Sequence, residues 1–324
     1  MMKVSHVADE SIDKIAEEKC KDFSALLFGE DETTMPSAFQ NYVSEVENFE
    51  ILQDDIIVAA FPKSGTTWTQ EMVWLIKNRH NLEDSSLNLY QRFPMMEACL
   101  LSSLHGRNEE FTLNSIKYLQ KIKGQRFIKT HLPFSLLPKD IRCHRKSPKI
   151  IYVTRNTKDV FISMYHFHRI MLGYTGDLET FSQLFLNNRV FFAPYWKHVM
   201  GYYSQKDLPN FCFLKYEDLK RDLKSEMVKV CRFLEEKPLT DAELTLLCQR
   251  LDFNFMKDNE AVNHERYIDV FKRENPQQEG CFMRSGSIGS YKLEMPPEMV
   301  SRFDKYIQDN ISNTELDDPY WFGP

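Results

Sequence analysis

Four short apolar runs punctuate the chain: IIVAAF (56–61), RFIKT (126–130), KIIYVTR (149–155) and FCFLKY (211–216). Each has the length of a strand and the near-continuous apolar character of one buried on both faces. Between them the apolar positions recur at helical spacing. TTWTQEMVWLIKN (66–78) brings Trp68, Met72, Leu75 and Ile76 to one face. KDVFISMYHFHRIML (158–172) and EDLKRDLKSEMVKVCRFLEE (217–236) also repeat near 3.6 residues. The order strand, helix, strand, strand, helix, helix, strand, helix predicts an α/β fold around a mostly parallel sheet flanked by helices. No repeat, low-complexity tract or Pro/Gly-rich linker divides the chain, so a single domain over residues 1–324 is expected.

In sheets of this kind ligands bind beyond the carboxyl ends of the strands. The loops that carry chemistry fall there: FPKSGTT, KTHLP, RNTKDV and YEDL, one after each apolar run. The first presents Lys63, Ser64, Gly65, Thr66 and Thr67 just before a helix, a place where backbone N–H groups and the helix dipole favour an anion. It differs from the nucleotide-triphosphatase loop, whose Lys follows the second Gly, because Lys63 precedes Gly65. A capped strand–helix turn is the plain alternative. In the second loop His131, stiffened by Pro133, is a candidate general base, although a lone His is more often a packed residue. In the third, Arg155 and Ser163 could clamp a terminal phosphate. Near the C-terminus, Phe282-Met283-Arg284-Ser285-Gly286-Ser287-Ile288-Gly289 reads as a second, weaker phosphate loop. His166 and His168 stand two apart on a helix and point different ways, so no metal site is expected.

Composition narrows the setting. The 324 residues are 42% hydrophobic, ample for a large core, and a net charge of −6 implies no broad nucleic-acid face. The seven scattered cysteines contain no C-x-x-C and suit reduced thiols. The first residues are charged, and no apolar run approaches the roughly 20 residues of a membrane helix, so a soluble cytoplasmic protein is expected.

Taken together, FPKSGTTW, KTHLP, RNTKDVFISMYHF, KYEDL and FMRSGSIGSYK resemble, in order and spacing, the motifs of the cytosolic sulfotransferases, with a flavour closer to insect-type members. The resemblance covers roughly residues 45 to 310, and residues 1–44 are expected to pack as an extension on or near the acceptor side. It implies a fold similar to nucleotide kinases and transfer of a sulfuryl group from 3′-phosphoadenosine-5′-phosphosulfate (PAPS) to a small-molecule hydroxyl, leaving PAP, without a metal. By the same resemblance Lys63 neutralises the leaving group, Ser64 to Thr67 cradle the 5′-phosphate, and Trp68 and Phe253 flank the adenine. Arg155, Ser163, Arg284 and Gly286 match the 3′-phosphate clamp, with Phe282, Met283 and Ser285 in the same loop. Ser163 is also expected to hold Lys63 back, Tyr216 to bind the cofactor, His131 to act as base, and Lys129 to line the acceptor site. Leu251 stands where many members have a Thr, which implies a lost hydrogen bond.

The chain departs from the family at Ser285, Ser290 and Tyr291, where R-K-G-x-x-G-D-W-K is usual, and at Phe61, where Tyr is common. The family's K-x-x-x-T-V-x-x-x-E dimer motif does not follow Lys292, which leaves a homodimer open. Two rival readings remain: a catalytically impaired PAP- or nucleotide-binding protein of the same fold, and a kinase. The second lacks the G-K-[ST] order and a nearby Mg²⁺ carboxylate. Phe93, Met95, Met96, Phe167, Met171, Tyr174, Tyr267 and Phe271, in the variable stretches, predict an apolar acceptor pocket with Phe167 as a wall between acceptor and cofactor.

Overall fold

Seven strands organise the described residues: β1 (Val4–Ser5), β2 (Ala25–Phe28), β3 (Thr33–Pro36), β4 (Ile56–Ala59), β5 (Phe127–Thr130), β6 (Lys149–Thr154) and β7 (Phe211–Lys215). The structure is a computed structural model and describes residues 3–5, 10–20, 24–100, 109–274 and 280–316. The four apolar runs form one parallel sheet in the order β5-β4-β6-β7, with Ile57 opposite Ile128 and Ile150. Alternate residues feed two separate cores, as a strand's two-residue period requires. Ile57, Ala59, Ile128, Ile150 and Tyr152 enter one, and Ile56, Val58, Ile151, Val153 and Leu214 the other. The second core is closed by the Thr66–Lys77 and Leu223–Phe233 helices, the first by the Thr157–Met171, Leu178–Leu186, Tyr195–Tyr203 and Pro297–Ile311 helices. Helices on both faces of one parallel sheet match the expected α/β fold.

The strands end earlier than the apolar runs, so Phe61, Arg155 and Tyr216 fall just beyond them, at the mouth of the sheet. The helix expected over 217–236 is two, Tyr216–Arg221 and Leu223–Phe233. Asp222 interrupts it at φ −148°, and its carboxylate accepts a hydrogen bond from Ser225 N at 3.1 Å, capping the second piece. At the base of the sheet the buried Asp55 carboxylate takes both Arg126 Nε and Nη2, at 2.7 and 2.5 Å, and ties β4 to β5.

Apolar periodicity gave no sign of the antiparallel sheet β1-β2-β3, whose strands are two to four residues long. It docks on residues 188–193. Thr34 N donates to the Ala193 carbonyl at 2.8 Å, Phe192 N to the Thr34 carbonyl at 2.7 Å, and Thr34 Oγ1 to the Asn188 carbonyl at 2.6 Å. Arg189 adds an ion pair to Asp13 at 2.8 Å.

Candidate active site

Past β4 the chain turns sharply into the Thr66–Lys77 helix, with Lys63 at φ 69° and Gly65 at φ 103°. Gly65 is required twice over: its φ is left-handed, and a Cβ there would lie 2.7 Å from the Tyr216 ring. The buried hydroxyls of Ser64 and Thr66 have no protein partner, although buried polar groups normally find one. Two orphaned hydroxyls at the N-terminus of a twelve-residue helix fit a phosphate. Trp68, one turn in, packs edge-on to Tyr216 at 5.5 Å and donates its Nε1 to the Leu251 carbonyl at 3.0 Å. Position 251 therefore contributes its main chain, and its apolar side chain goes into the core. Phe253 opens the next helix and covers Gly286, where a Cβ would meet its ring at 2.3 Å.

Arg155 leaves the end of β6 and stacks on the Tyr216 ring at 4.4 Å, donates to the Ser287 carbonyl at 2.8 Å, and keeps its buried Nε unpartnered. Asp159, fully buried in the first turn of the Thr157–Met171 helix, accepts from Gly289 N (2.7 Å), Ser290 Oγ (3.0 Å) and Tyr291 N (3.1 Å). The carboxylate thereby pins the Gly-rich turn beside Arg155. Arg284 pairs with Glu294 at 3.0 Å, and Glu294 also contacts His166 Nε2 at 2.6 Å. That contact gives His166 a hydrogen-bond partner. Ser285 turns back on its own loop, accepting from Ser287 N at 3.3 Å.

Lys63 lines the same cleft as Ser163. Its Nζ makes no hydrogen bond to that hydroxyl and sits over the rings of Phe282 (3.8 Å) and Phe167 (4.7 Å). Burial, and then the positive charges of Lys129, Arg155 and Arg284, push its pKa down to about 7. His131, just beyond β5, donates Nδ1–H to the Ala60 carbonyl at 2.7 Å, which fixes the tautomer and leaves Nε2 with its lone pair. Burial, helped by Lys129, holds its pKa well below the usual value, so the ring is neutral. Glu97 supports the loop from beneath, accepting from His131 N at 2.5 Å and Thr130 Oγ1 at 2.9 Å. Burial raises this carboxyl to about 7.

One continuous cleft unites these groups. Lys63, Gly65, Thr66, Thr67, Trp68, Lys129, His131, Arg155, Ser163, Phe167, Tyr216, Leu251, Phe253 and Phe282 to Gly286 all line it, while Ser64 lies just behind. The apolar end differs from expectation. Met95, Phe167 and Met171 line it, but Phe93, Met96 and Tyr174 are spent in the cores, and Tyr267 packs with Tyr90 and Phe111. The Phe271 side chain lies outside the described residues. Tyr90, His168, Phe191, Phe192 and His264 line the cleft and were not anticipated. Glu97, too, carried no signal beyond being an acidic residue in an apolar stretch.

Residues 53–315 match the model of the sulfotransferase domain. The chain belongs to the sulfotransferase family. It is 40% identical to luciferin sulfotransferase of Photinus pyralis over 321 residues, 95% of this chain and 86% of that protein. It is 32% identical to sulfotransferase 1E1 of Homo sapiens, over 86% of this chain and 90% of the other. Among solved structures it resembles retinol dehydratase bound to androsterone and the inactive cofactor PAP, with TM-score 0.86, 25% identity and 98% of each chain covered. The same protein bound to retinol and PAP gives TM-score 0.85 at 26% identity. This sulfotransferase accordingly uses PAPS. The orphaned hydroxyls and the two glycine contacts fit such a nucleotide. Among the described residues no cluster of His, Cys, Asp or Glu is arranged for a metal, and no helix is long and apolar enough to cross a membrane.

Proposed function

We propose that this sulfotransferase transfers the sulfuryl group of PAPS to the hydroxyl of a small, largely apolar acceptor by in-line displacement, with His131 as general base. The observation that carries the reading is the His131 ring. Its Nδ1–H is committed to the Ala60 carbonyl, so a neutral imidazole offers Nε2 to the cleft where the apolar and cationic ends meet. A base in that state can take a hydroxyl proton as the oxygen attacks. PAPS, when bound, supplies the activated sulfuryl group.

Lys63, flanked by Lys129, Arg155 and Arg284, concentrates positive charge where the leaving group becomes more negative, which is where preorganised charge lowers a barrier. Ser64 to Thr67 are assigned to the 5′-phosphate, Trp68, Leu251, Phe253 and Tyr216 to the adenosine side, and Arg155, Ser163 and the 282–286 loop to the 3′-phosphate. The orphaned Ser64, Thr66 and Arg155 atoms support these roles. Lys129 and Phe167 are assigned to the acceptor side. Residues 1–44 belong to that side as well, since their sheet supports the segment that carries Phe191 and Phe192. Retinol and androsterone, bound by the solved relative, are apolar alcohols and support an apolar acceptor. The seven cysteines, none of them in a disulfide, support a reducing, cytoplasmic location.

The test is a panel of phenols and alcohols with labelled PAPS, run on the wild type and His131→Ala beside PAP calorimetry. The variant should bind PAP normally and lose turnover. Retention of a substantial rate on every acceptor would remove His131 as the base. PAP binding by the wild type without turnover of any acceptor would favour a nucleotide-binding protein.

A further inference from the structure

Two histidines in the cleft share one design, and the proposed proton transfer uses only His131. His168, on the Thr157–Met171 helix, is 5% exposed and lines the apolar end together with Phe167 and Met171. Its Nδ1–H donates to the Met164 carbonyl, one turn back, at 2.8 Å. The Phe181 ring, 4.9 Å away, and the Phe167 ring, 6.1 Å away, fix its plane. With Nδ1 protonated, Nε2 carries a lone pair, and among the described residues no protein group bonds to it. Burial, with Lys63 nearby, keeps the ring neutral, at a pKa of about 4. A histidine serving the core alone looks different. His198 engages both nitrogens, with Nδ1 on Tyr152 Oη and Nε2 on the His131 carbonyl, each at 2.9 Å.

We propose that His168 Nε2 is a recognition point in the acceptor chamber: it accepts a hydrogen bond from a second donor, a hydroxyl or N–H, on an acceptor whose first hydroxyl faces His131. The inference rests on the apolar-hydroxyl reading above and narrows its substrate class to bifunctional molecules such as dihydroxy aromatics. An ether or carboxylate oxygen at the same place meets a lone pair with a lone pair and leaves the buried nitrogen unpaired. A phenyl wall would not make that distinction. Selectivity of this kind is worth roughly 3- to 10-fold in kcat/KM for one neutral hydrogen bond.

The experiment compares 2-naphthol, a positional series of dihydroxynaphthalenes and their monomethyl ethers on the wild type, His168→Phe, His168→Met and His168→Gln. For each variant the readout is the ratio of kcat/KM for a diol to that for its ether, so any general loss of rate or folded fraction cancels. In the wild type at least one isomer should be preferred by roughly 3- to 10-fold, mostly through KM. That preference should vanish in His168→Phe and His168→Met, and return in part in His168→Gln, whose amide oxygen can accept. An equal ratio in wild type and His168→Met, or no preferred isomer at all, would overturn the inference and leave the transferase reading standing. Failure of the wild type to sulfate any naphthol would overturn the apolar-hydroxyl reading itself, and this inference with it.

Discussion

Raising the pH should loosen PAP from this sulfotransferase, and Lys63 should be the cause. Burial and three neighbouring cations bring its pKa down to about 7. A bound polyanion favours the charged ammonium, so above that pH the lysine must take up a proton for the nucleotide to bind tightly. With a bound-state pKa well above 9, affinity should fall by about 90-fold between about pH 6 and about pH 9, the factor by which the protonated fraction of the free protein drops. Two other groups titrate in this range. The phosphates of PAP lose their last protons near pH 6, which pulls the other way, and Glu97 has a pKa of about 7. The informative quantity is therefore the difference between wild type and Lys63→Gln, measured by calorimetry at constant ionic strength. The wild-type curve should fall away from the variant's above pH 7. Binding in buffers of different ionisation enthalpy should report uptake of about one extra proton near pH 8. Parallel curves for the two proteins would refute the reasoning.

Other substitutions probe separate parts of the site and fold. Arg155→Ala should weaken PAP by roughly 10- to 150-fold and AMP far less, because AMP has no 3′-phosphate to lose a charge-assisted contact; equal losses in calorimetry would refute the clamp. Gly286→Ala adds a Cβ at φ 61°, 2.3 Å from the Phe253 ring. It should cost about 1–3 kcal/mol of local strain, seen as weaker PAP binding, and unaltered affinity would remove Phe253 from the nucleotide site. Asp55→Ala strands the buried Arg126 guanidinium and should lower unfolding free energy by about 3–5 kcal/mol in a denaturant titration; a loss under about 1 kcal/mol would contradict the role given to the pair.

The cationic end of the cleft was legible because each of its loops follows a strand whose apolar run marks it. Once IIVAAF and KIIYVTR are read as strands, Lys63 and Arg155 must emerge on the same edge of one sheet. The apolar end was not legible in that way. Phe191 and Phe192 belong to no periodic element, and Phe192 reaches the cleft from a turn at φ 72°. In sequence they look no different from Phe93, which fills a core. Glu97 escaped notice for a related reason, since its partners are a backbone N–H and a hydroxyl over thirty residues away. Ser163 was expected to hold Lys63 back, but Lys63 Nζ lies over the Phe167 and Phe282 rings.

The small sheet β1-β2-β3 gives the molecule a division of labour with evolutionary weight. The Phe191–Phe192 wall hangs on main-chain bonds from Thr34, a residue more than 150 positions earlier. The loops that carry Lys63 and Arg155 follow strands of the parallel sheet. On the proposed assignment of the cleft, a change at Thr34 would tilt the Phe191–Phe192 wall and alter acceptor choice while leaving the parallel sheet untouched. The same separation recommends this segment for exchange between relatives when new acceptors are sought.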